Sequence, residues 1–371
     1  MRVKLKDITK FSKGTQINGK NLIDDGAYSY LNGGINPSGK WNEFNVAENT
    51  VTISEGGNSS GYVNYMNDAF WCGAHCYYLY DGPKNSKYLY YALKSQQERL
   101  FRIRSGACMP NIKKSDLGNF IIEYEKDEVR QEEVVKVLEK CELLIEDYNK
   151  KLTLLDEAVR ARFVEMFGDP VINSCQFPVQ PMTDICDIID GDRGKNYPKS
   201  EEILDDGYCL FLNAKNVTQK GFDFENCNFI TREKDDALRN GKLSRGDVVL
   251  TTRGTVGNLA YYSKNVPYEN IRINSGMVIL RMNRSILNEI YFIELFKMKL
   301  SDIKEKIASG SAQPQLPIST MNKIILMIPP LELQNQFASF VQEIDKSRSR
   351  IQKSLEASQE LFDSLMQEYF G

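Results

Sequence analysis

An internal repeat is the feature that most constrains how this chain can fold. RSGACMPNIKK at 104–114 and ASGSAQPQLPI at 308–318 share Ser-Gly, a proline and a polar residue followed by an aliphatic one, at an offset of 204 residues. Strand-like apolar runs follow both phrases at the same offset, FIIEY at 120–124 and IILMI at 324–328. Because such extended self-similarity marks duplicated structural units, we predict two diverged copies of one plan.

The correspondence continues upstream, where it predicts a β-rich domain in each half. NTVTISEGGNSSGYV at 49–63 and GDVVLTTRGTVGNLA at 246–260 each contain a β-branched strand, a glycine-rich polar loop and the start of another strand. LKDITKFSKG at 5–14 and MTDICDIIDG at 182–191 correspond in the same way. We therefore predict an α/β (α+β) fold in which two similar β-rich domains form a pseudo-two-fold internal repeat.

Each half ends in a long helical segment with the apolar spacing of a coiled-coil seam. Steps of four and three residues alternate along both segments, which is the 3.5-residue period of paired helices. The seam positions are Val134, Leu138, Cys141, Ile145, Tyr148, Leu152, Leu155 and Val159 in the first segment and Phe337, Val341, Ile344, Arg348, Ile351, Leu355, Ser358, Phe362, Leu365 and Tyr369 in the second. Since two similar seams lie in one chain, we predict that they pair antiparallel with each other. The alternative is a helix that joins two chains.

The repeat and the seams define the expected domains. The first β-rich domain spans 1–126, the first spacer helix 127–168, the second β-rich domain 169–330 and the second spacer helix 331–371. At ~1.5 Å per residue, a helix over residues 131–166 is roughly 54 Å long. Helices of this length can hold two domains well apart.

The charge of the chain is unevenly distributed. The whole chain carries a net charge of −3. Its helical segments are acidic, with 11 acidic and 7 basic residues at 127–166 and 7 acidic and 4 basic residues at 331–371. The remaining residues therefore carry a net +4, which permits contact with nucleic acid without requiring it.

The cysteines and the single histidine indicate a reduced environment and give little support to a metal site. The eight cysteines never form a CxxC pair. The sequence has no signal-peptide pattern and no apolar run of ~18 residues, so we expect a cytoplasmic location. WCGAHC could hold a metal only through Cys72, His75 and Cys76 together. Buried cysteines beside an incidental histidine are the favoured interpretation, and we predict no metal.

Motifs for catalysis by this chain are missing from the sequence. It contains no GxGxxG loop, no Walker GxxxxGK[ST] loop and no Asn-Pro-Pro-Tyr tetrapeptide of an adenine-amino methyltransferase. The glycine-containing stretches at 191–194 and 253–257 do not lead into a helix with a Lys-Ser/Thr pair. The sequence therefore predicts a protein that is not an enzyme.

In this combination the chain resembles the specificity (S) subunits of type I restriction–modification systems. The resemblance covers essentially the whole chain and rests on GDVVLTTRGTVGNLA with INSGMVIL after it, on SGSAQPQLPI, and on IPPLELQNQF opening a duplicated long helix. It implies two target-recognition domains, each reading one half of a split asymmetric site in double-stranded DNA. The two antiparallel helices would then set the half-site spacing.

The resemblance also implies partner subunits that carry the chemistry. Two methyltransferase (M) subunits would dock through the helices, bind S-adenosylmethionine and methylate adenine. Restriction (R) subunits would join this core and use ATP and Mg. This chain itself would bind no cofactor.

Side chains in the strand-to-strand loops are the candidates for DNA contact. Base edges are read by side chains, whereas phosphate contacts position the protein. Arg and Lys favour guanine O6 and N7, and Asn favours adenine N6 and N7. The DNA-binding candidates are Asn32, Lys40, Trp41, Asn58, Ser59, Ser60, Tyr62 and Arg104 in the first domain and Arg193, Lys195, Asn213, Lys215, Asn216, Arg253, Thr255 and Gln313 in the second. The first domain lacks the arginine of TTRGTVG, since ISEGGNSSG stands there.

Three other interpretations are open at the level of sequence. A specificity subunit of a modification-only assembly has the same features. A duplicated β-rich scaffold joined by a coiled coil could instead bind protein or glycan, and salt-dependent DNA binding would distinguish it. A self-contained nuclease or methylase conflicts with the missing motifs.

Overall fold

The computed structural model describes residues 1–106, 109–308 and 315–371, and for 301–308 it describes the backbone alone. The strands are β1 (Arg2–Lys4), β2 (Lys10–Lys13), β3 (Tyr28–Leu31), β4 (Gly39–Trp41), β5 (Thr50–Ser54), β6 (Val63–Met66), β7 (Phe70–Cys72), β8 (Cys76–Tyr80), β9 (Ile121–Glu123), β10 (Val179–Pro181), β11 (Cys186–Asp190), β12 (Cys209–Leu212), β13 (Val217–Thr218), β14 (Gly221–Phe222), β15 (Phe229–Ile230), β16 (Val248–Thr251), β17 (Leu259–Tyr261), β18 (Ile271–Ile273), β19 (Met277–Met282) and β20 (Ile325–Met327). The α-helices are α1 (Ser86–Lys94), α2 (Gln97–Arg102), α3 (Lys114–Gly118), α4 (Glu128–Phe167), α5 (Met182–Ile185), α6 (Arg232–Ala237), α7 (Glu289–Ala308), α8 (Ile318–Met321) and α9 (Leu331–Phe370). This mixture of helix and sheet, with two helices of 40 residues each, confirms the predicted mixed fold class.

The chain divides into two units. Unit 1 comprises Met1–Lys151 with Ile351–Gly371, and unit 2 comprises Leu152–Arg350. The long helices α4 and α9 contribute residues to both units.

Unit 1 contains two main sheets, besides the antiparallel pair β1-β9. The larger sheet has the strand order β2-β8-β5-β6, and all its neighbouring strands are antiparallel. The smaller sheet has the order β4-β3-β7, in which β3 and β7 are parallel. Val51, Ile53 and Tyr77 are buried in the core beneath the larger sheet, together with residues of α1.

Unit 2 has the same strand order in its two main sheets. The larger sheet runs β11-β19-β16-β17 with antiparallel neighbours, and the smaller runs β15-β12-β18 with β12 and β18 parallel. The strands match those of unit 1 in sequence order as well as in pairing. Val248, Leu250 and Leu280 lie on the face of the larger sheet that packs on the helices of this unit.

Helices α4 and α9 share a core in each unit. In unit 1, Val134 and Leu138 near the start of α4 belong to the same buried cluster as Phe370 at the end of α9. In unit 2, Phe163 near the end of α4 packs edge-on against Phe337 near the start of α9, with ring centroids 5.4 Å apart. Within each unit, the beginning of one long helix thus lies with the end of the other.

The polar seam position Arg348 has a specific partner. Its guanidinium donates to Asp156 of α4 at 2.5 Å and to Asp345 on its own helix at 2.5 Å.

Gly168 ends α4 with a φ of 73°, the left-handed conformation that glycine adopts at helix C-termini. The helix boundaries therefore follow from residue types that the sequence displays.

Candidate nucleic-acid interface

In unit 2, the loops that carry the predicted DNA-binding residues leave the sheets at one edge. Strands β11, β12 and β16 end at this edge, and β17 and β19 begin there because they run antiparallel to β16. Leu212 pairs with Ile273, so the residues that follow β12 lie beside the turn that joins β18 to β19. We call this edge the unit 2 reading edge, made by residues 191–195, 213–216, 252–258 and 274–276.

Arg253 and Arg193 both contact the turn between β18 and β19. The backbone N–H of Arg253 donates to the carbonyl of Gly276 at 3.2 Å. The side chain of Arg253 is exposed. The guanidinium of Arg193 donates to the carbonyl of Ser275 at 3.2 Å and to Asp190 at 3.1 Å. The structure thus brings together two arginines that are 60 residues apart in the chain.

Lys195, Lys215 and Thr255 complete the exposed groups of the unit 2 reading edge. All three side chains are exposed. The carbonyl of Thr255 accepts a hydrogen bond from the hydroxyl of Thr251, which closes the loop after β16. Cationic and hydroxyl groups at such an edge are suited to phosphate and base contacts.

Asn216 and Asn213 have structural roles instead. Asn216 is buried, and its amide donates to the carbonyls of Asp223 at 3.0 Å and Asn226 at 2.9 Å. Its side-chain oxygen accepts from the backbone N–H of Asn213, whose own side chain accepts from that of Lys215. All the polar atoms of Asn216 are satisfied inside the protein, so we exclude it from the interface.

Sequence reasoning missed Arg239 and the aspartate beside it. Asp192 is almost fully buried and accepts from the backbone N–H groups of Gly194 at 2.6 Å and Arg239 at 2.7 Å. These bonds lower the pKa of the Asp192 carboxyl. The side chain of Arg239 is 75% exposed next to this anchor. No local sequence motif predicts this pairing, because Asp192 and Arg239 lie 47 residues apart.

The corresponding edge of unit 1 carries Asn32, Asn58 and Ser59, and we call it the unit 1 reading edge. It is made by the residues after β2, β3 and β5 and by the turn between β7 and β8. Asn58 is exposed. The side chain of Asn32 accepts from the backbone N–H of His75 at 3.2 Å, and the hydroxyl of Ser59 donates to the carbonyl of Gly33 at 2.5 Å. Asn32 and Ser59 thereby hold the loops of this edge together.

Ser60, Tyr62 and Arg104 lie close to the same loop. Ser60 is fully buried and donates to the carbonyl of Glu55 at 2.7 Å, so it too is excluded from the interface. The ring of Tyr62 is half-buried under the ammonium of Lys94, 3.9 Å from the ring centroid. Arg104 donates to the carbonyl of Asn58 at 3.3 Å, which places its guanidinium beside the exposed loop.

Lys40 and Trp41 lie away from the unit 1 reading edge. Strand β4 runs antiparallel to β3, and Trp41 pairs with Tyr28 at the start of β3, whereas Leu31 at its end borders the edge. Three residues of strand correspond to about 10 Å. Trp41 packs edge-on against Trp71, with ring centroids 6.4 Å apart. Gln313 lies outside the described residues.

The position of Arg253 is taken by glycine in unit 1. Arg253 forms a β-bridge with Gln315, and Gly56 forms the corresponding bridge with Asn111. Asn111 and Gln315 are equivalent in the repeated phrases, at the offset of 204 residues. The two bridges therefore make Gly56 the structural counterpart of Arg253.

The cysteines around His75 are accounted for by packing. Cys72 and Cys76 are buried, and the Cys72 thiol donates to the carbonyl of Cys76 at 3.4 Å. The Cys76 side chain and burial raise the pKa of the Cys72 thiol. Within the described ranges, no group of three or more His, Cys, Asp or Glu side chains is arranged to hold a metal ion.

Over the same ranges, no helix is both long and apolar enough to cross a membrane.

Comparisons with known proteins agree on one family. The model of the type I restriction modification DNA specificity domain matches residues 1–155 and 177–359. A protein of Mycoplasma genitalium that is assigned as a type I specificity subunit is 28% identical, over 96% of this chain and 90% of its own length. The type I restriction enzyme MjaIX specificity subunit of Methanocaldococcus jannaschii is 27% identical, over 76% of this chain and 67% of its own length.

A solved structure has the same fold. The crystal structure of a type I restriction–modification S subunit from M. genitalium superposes with a TM-score of 0.64 at 22% sequence identity. The alignment covers 100% of this chain and 96% of the other. At this level of identity the likeness concerns the fold alone.

Proposed function

Because this chain belongs to the type I restriction–modification DNA specificity family, we propose that its two reading edges each bind one half of a split DNA site. The family makes it the DNA-recognition subunit of such a system, not a catalytic one. DNA and the methyltransferase and restriction subunits are its partners in that role. A scaffold that binds protein or glycan is not favoured by this assignment.

One observation carries the proposal: the same strand order presents a polar loop edge in both units. Larger sheets of order β2-β8-β5-β6 and β11-β19-β16-β17 end in loops with exposed polar side chains. The loops differ in sequence while the strands correspond. Two edges of one design with different side chains suit a site whose halves differ in sequence.

Within the unit 2 reading edge, we assign base reading to Arg253 and phosphate contact to the other cations. The side chain of Arg253 is exposed at the centre of the edge, next to the β18–β19 turn. An arginine can bond both O6 and N7 of guanine. Lys195, Lys215 and Arg239 lie in the flanking loops, where they suit phosphates, and Arg193 is partly neutralised by Asp190.

The remaining organisation is part of the same proposal. Residues 1–126 and 169–330 act as target-recognition domains, and 127–168 and 331–371 act as antiparallel spacer helices that dock two M subunits. The shared cores of α4 and α9 support this role for the helices. The chain binds no cofactor itself, and the assembly works in the cytoplasm.

Substitution of Arg253 tests the assignment. In a complex with M subunits, Arg253→Ala should relax one base position in one half-site, at a cost of about 1–3 kcal/mol in discrimination. Adenine methylation of a DNA library with randomised half-sites measures this. The other half-site should keep its specificity, because it is bound by the other unit.

Lys264→Ala is the matched control, since Lys264 is exposed beyond the far end of β17. It should leave the methylation pattern unchanged. An equal loss at all sequences would make Arg253 a phosphate contact. Unchanged methylation in the Arg253 variant would remove the reading edge from the proposal.

A further inference from the structure

One backbone hydrogen bond occurs at an equivalent place in each reading edge. The N–H of Glu55 donates to the carbonyl of His75 at 2.8 Å, and that of Thr252 donates to Gly276 at 2.8 Å. Each follows the last residue of the central strand, β5 or β16, and reaches the turn before β8 or β19. Glu55 is therefore the counterpart of Thr252, and His75 is the counterpart of Gly276.

A second pair of backbone hydrogen bonds fixes the same register. The N–H of Ile112 donates to the carbonyl of Glu55 at 2.9 Å, and that of Leu316 donates to Thr252 at 3.0 Å. Ile112 and Leu316 are again 204 residues apart. The comparison of side chains between the two edges thus rests on two pairs of main-chain hydrogen bonds, of which the second lies at the β-bridges of Gly56 and Arg253.

The two edges carry their exposed basic side chain at different positions. In unit 2 it is Arg253, and the position facing it across the turn is Gly276, which has no side chain. In unit 1 the first position is Gly56 and the second is His75, whose side chain is 59% exposed. The turn between β7 and β8 therefore supplies the group that the loop after β5 lacks.

Glu55 orients the imidazole of His75. One carboxylate oxygen of Glu55 lies 3.6 Å from Nδ1 of His75, and the other is paired with the ammonium of Lys13. The Glu55 side chain is only 14% exposed, so it is held beneath the two basic groups. With Nδ1 next to the carboxylate, Nε2 is the ring nitrogen left to meet a ligand.

The charged and titratable groups around His75 come from three places in the sheet. Strand β2 supplies Lys13, the residue after β5 is Glu55, and strand β8 supplies Tyr77. Burial and the nearby Glu55 raise the pKa of Tyr77 to about 12. Tyr77 is therefore neutral at physiological pH. From the loop after β3, the neutral Asn32 holds the backbone of His75. Glu55 is thus the one acidic group in contact with the ring among these neighbours.

We infer that His75 is a specificity-determining residue of the unit 1 reading edge, with a hydrogen bond between its Nε2 and a base edge of the unit 1 half-site. This inference rests on the proposed function. Glu55 holds the ring in place, and a bond to a base edge, unlike a bond to a phosphate, depends on the DNA sequence.

The experiment measures DNA binding by the complex with M subunits. It uses duplexes with single-base changes in either half-site. His75→Gln should reduce discrimination at one base of one half-site by about tenfold, while discrimination at the other half-site stays at the wild-type level.

Arg253→Ala is the matched variant, and His75→Ala checks that the effect is loss of the imidazole. Arg253→Ala should relax the other half-site and leave discrimination at the unit 1 half-site unchanged. A His75→Gln protein with unchanged discrimination would overturn the inference, while the Arg253 result would leave the proposed function standing. An equal loss at all sequences in His75→Gln would also overturn it, since His75 would then contact phosphate. If neither variant altered discrimination, the proposed function itself would fail.

Discussion

At the scale of single residues, a network of buried charged side chains lies behind the unit 2 reading edge. Asp235 is fully buried and pairs with Arg272, which is also buried, and with Lys242. The Arg272 guanidinium donates in addition to the carbonyls of Asp235 at 2.7 Å and Leu238 at 3.1 Å. The network joins α6 and the following loop to β18, and thus fixes the loop that carries Arg239.

Replacing Asp235 should be costly. Asp235→Asn leaves the charge of Arg272 buried without a counter-ion, and we expect a loss of about 3–5 kcal/mol in the free energy of unfolding. Chemical denaturation measures it. Asp236→Asn is the control, because this neighbour is exposed, and it should change stability by less than about 0.5 kcal/mol. Similar small changes in both variants would contradict the structural role of the network.

The same network predicts a loss of stability in acid. Burial alone would raise the pKa of Asp235, but the hydrogen bonds from Lys242 and Arg272 hold it below its usual value. A carboxyl with a lowered pKa stabilises the fold above its unfolded pKa of about 3.9, and this contribution is lost as pH falls through the folded value. Denaturation between pH 6 and pH 3 should show a steeper decline for wild type than for Asp235→Asn.

Single residues also mark where sequence reasoning fails. Asn216 and Ser60 have the types expected of DNA contacts, yet both are buried and bonded to backbone carbonyls. The polar atoms of asparagine and serine can bond either the backbone of their own loop or a DNA base. Only the fold around them separates the two uses, as it does for the inward-facing Asp192.

At the scale of elements, a buried glutamine fixes the start of α9. Gln334 is fully buried, donates to the carbonyls of Ile286 at 3.0 Å and Pro329 at 2.8 Å, and accepts from the N–H of Asn288 at 2.9 Å. Gln131 is similarly buried at the start of α4 and donates to the carbonyl of Glu125 at 2.6 Å. Both long helices therefore have, as their fourth residue, a glutamine that ties them to the preceding chain.

Gln334→Ala should destabilise the protein by about 2 kcal/mol, because it leaves three backbone groups, all buried or partly buried, without their partner. Thermal or chemical unfolding measures the loss. Gln336→Ala, two residues further along the same helix, is exposed and serves as the control. An equal effect of both substitutions would point to helix propensity rather than to the buried bonds.

The long helices were more predictable than the loops they serve. Their seam spacing is a local pattern, and proline and glycine mark their ends, so α4 and α9 lie inside the segments expected at 127–168 and 331–371. The bonds of Gln334 to Asn288 and Ile286 and the pairing of Asp192 with Arg239 join residues 46 or more apart. Periodicity carries no information about such partners.

At the scale of the whole molecule, the spacer proposal predicts how the DNA site responds to helix length. Insertion of seven residues after Lys151 and after Arg350, where the two units divide, preserves the seam period. It adds about 10 Å of helix, which corresponds to about three base pairs. We expect the preferred gap between half-sites to widen by that amount while the half-sites stay the same.

Methylation mapping on a plasmid library with variable gaps measures the change. Insertion in one helix only is the control, since it disrupts the match between the two seams and should abolish recognition at any gap. Altered half-sites with an unchanged gap would contradict the spacer role.

The two pairs of main-chain bonds shared by the two reading edges have an evolutionary consequence. They hold Glu55 and Thr252, or His75 and Gly276, in the same places although the side chains differ. Because main-chain atoms form these bonds, a substitution at His75 or Gly276 leaves them intact, and these two positions are free to follow selection for a new target. Such a lineage can change which DNA it marks as its own while inheriting the scaffold intact.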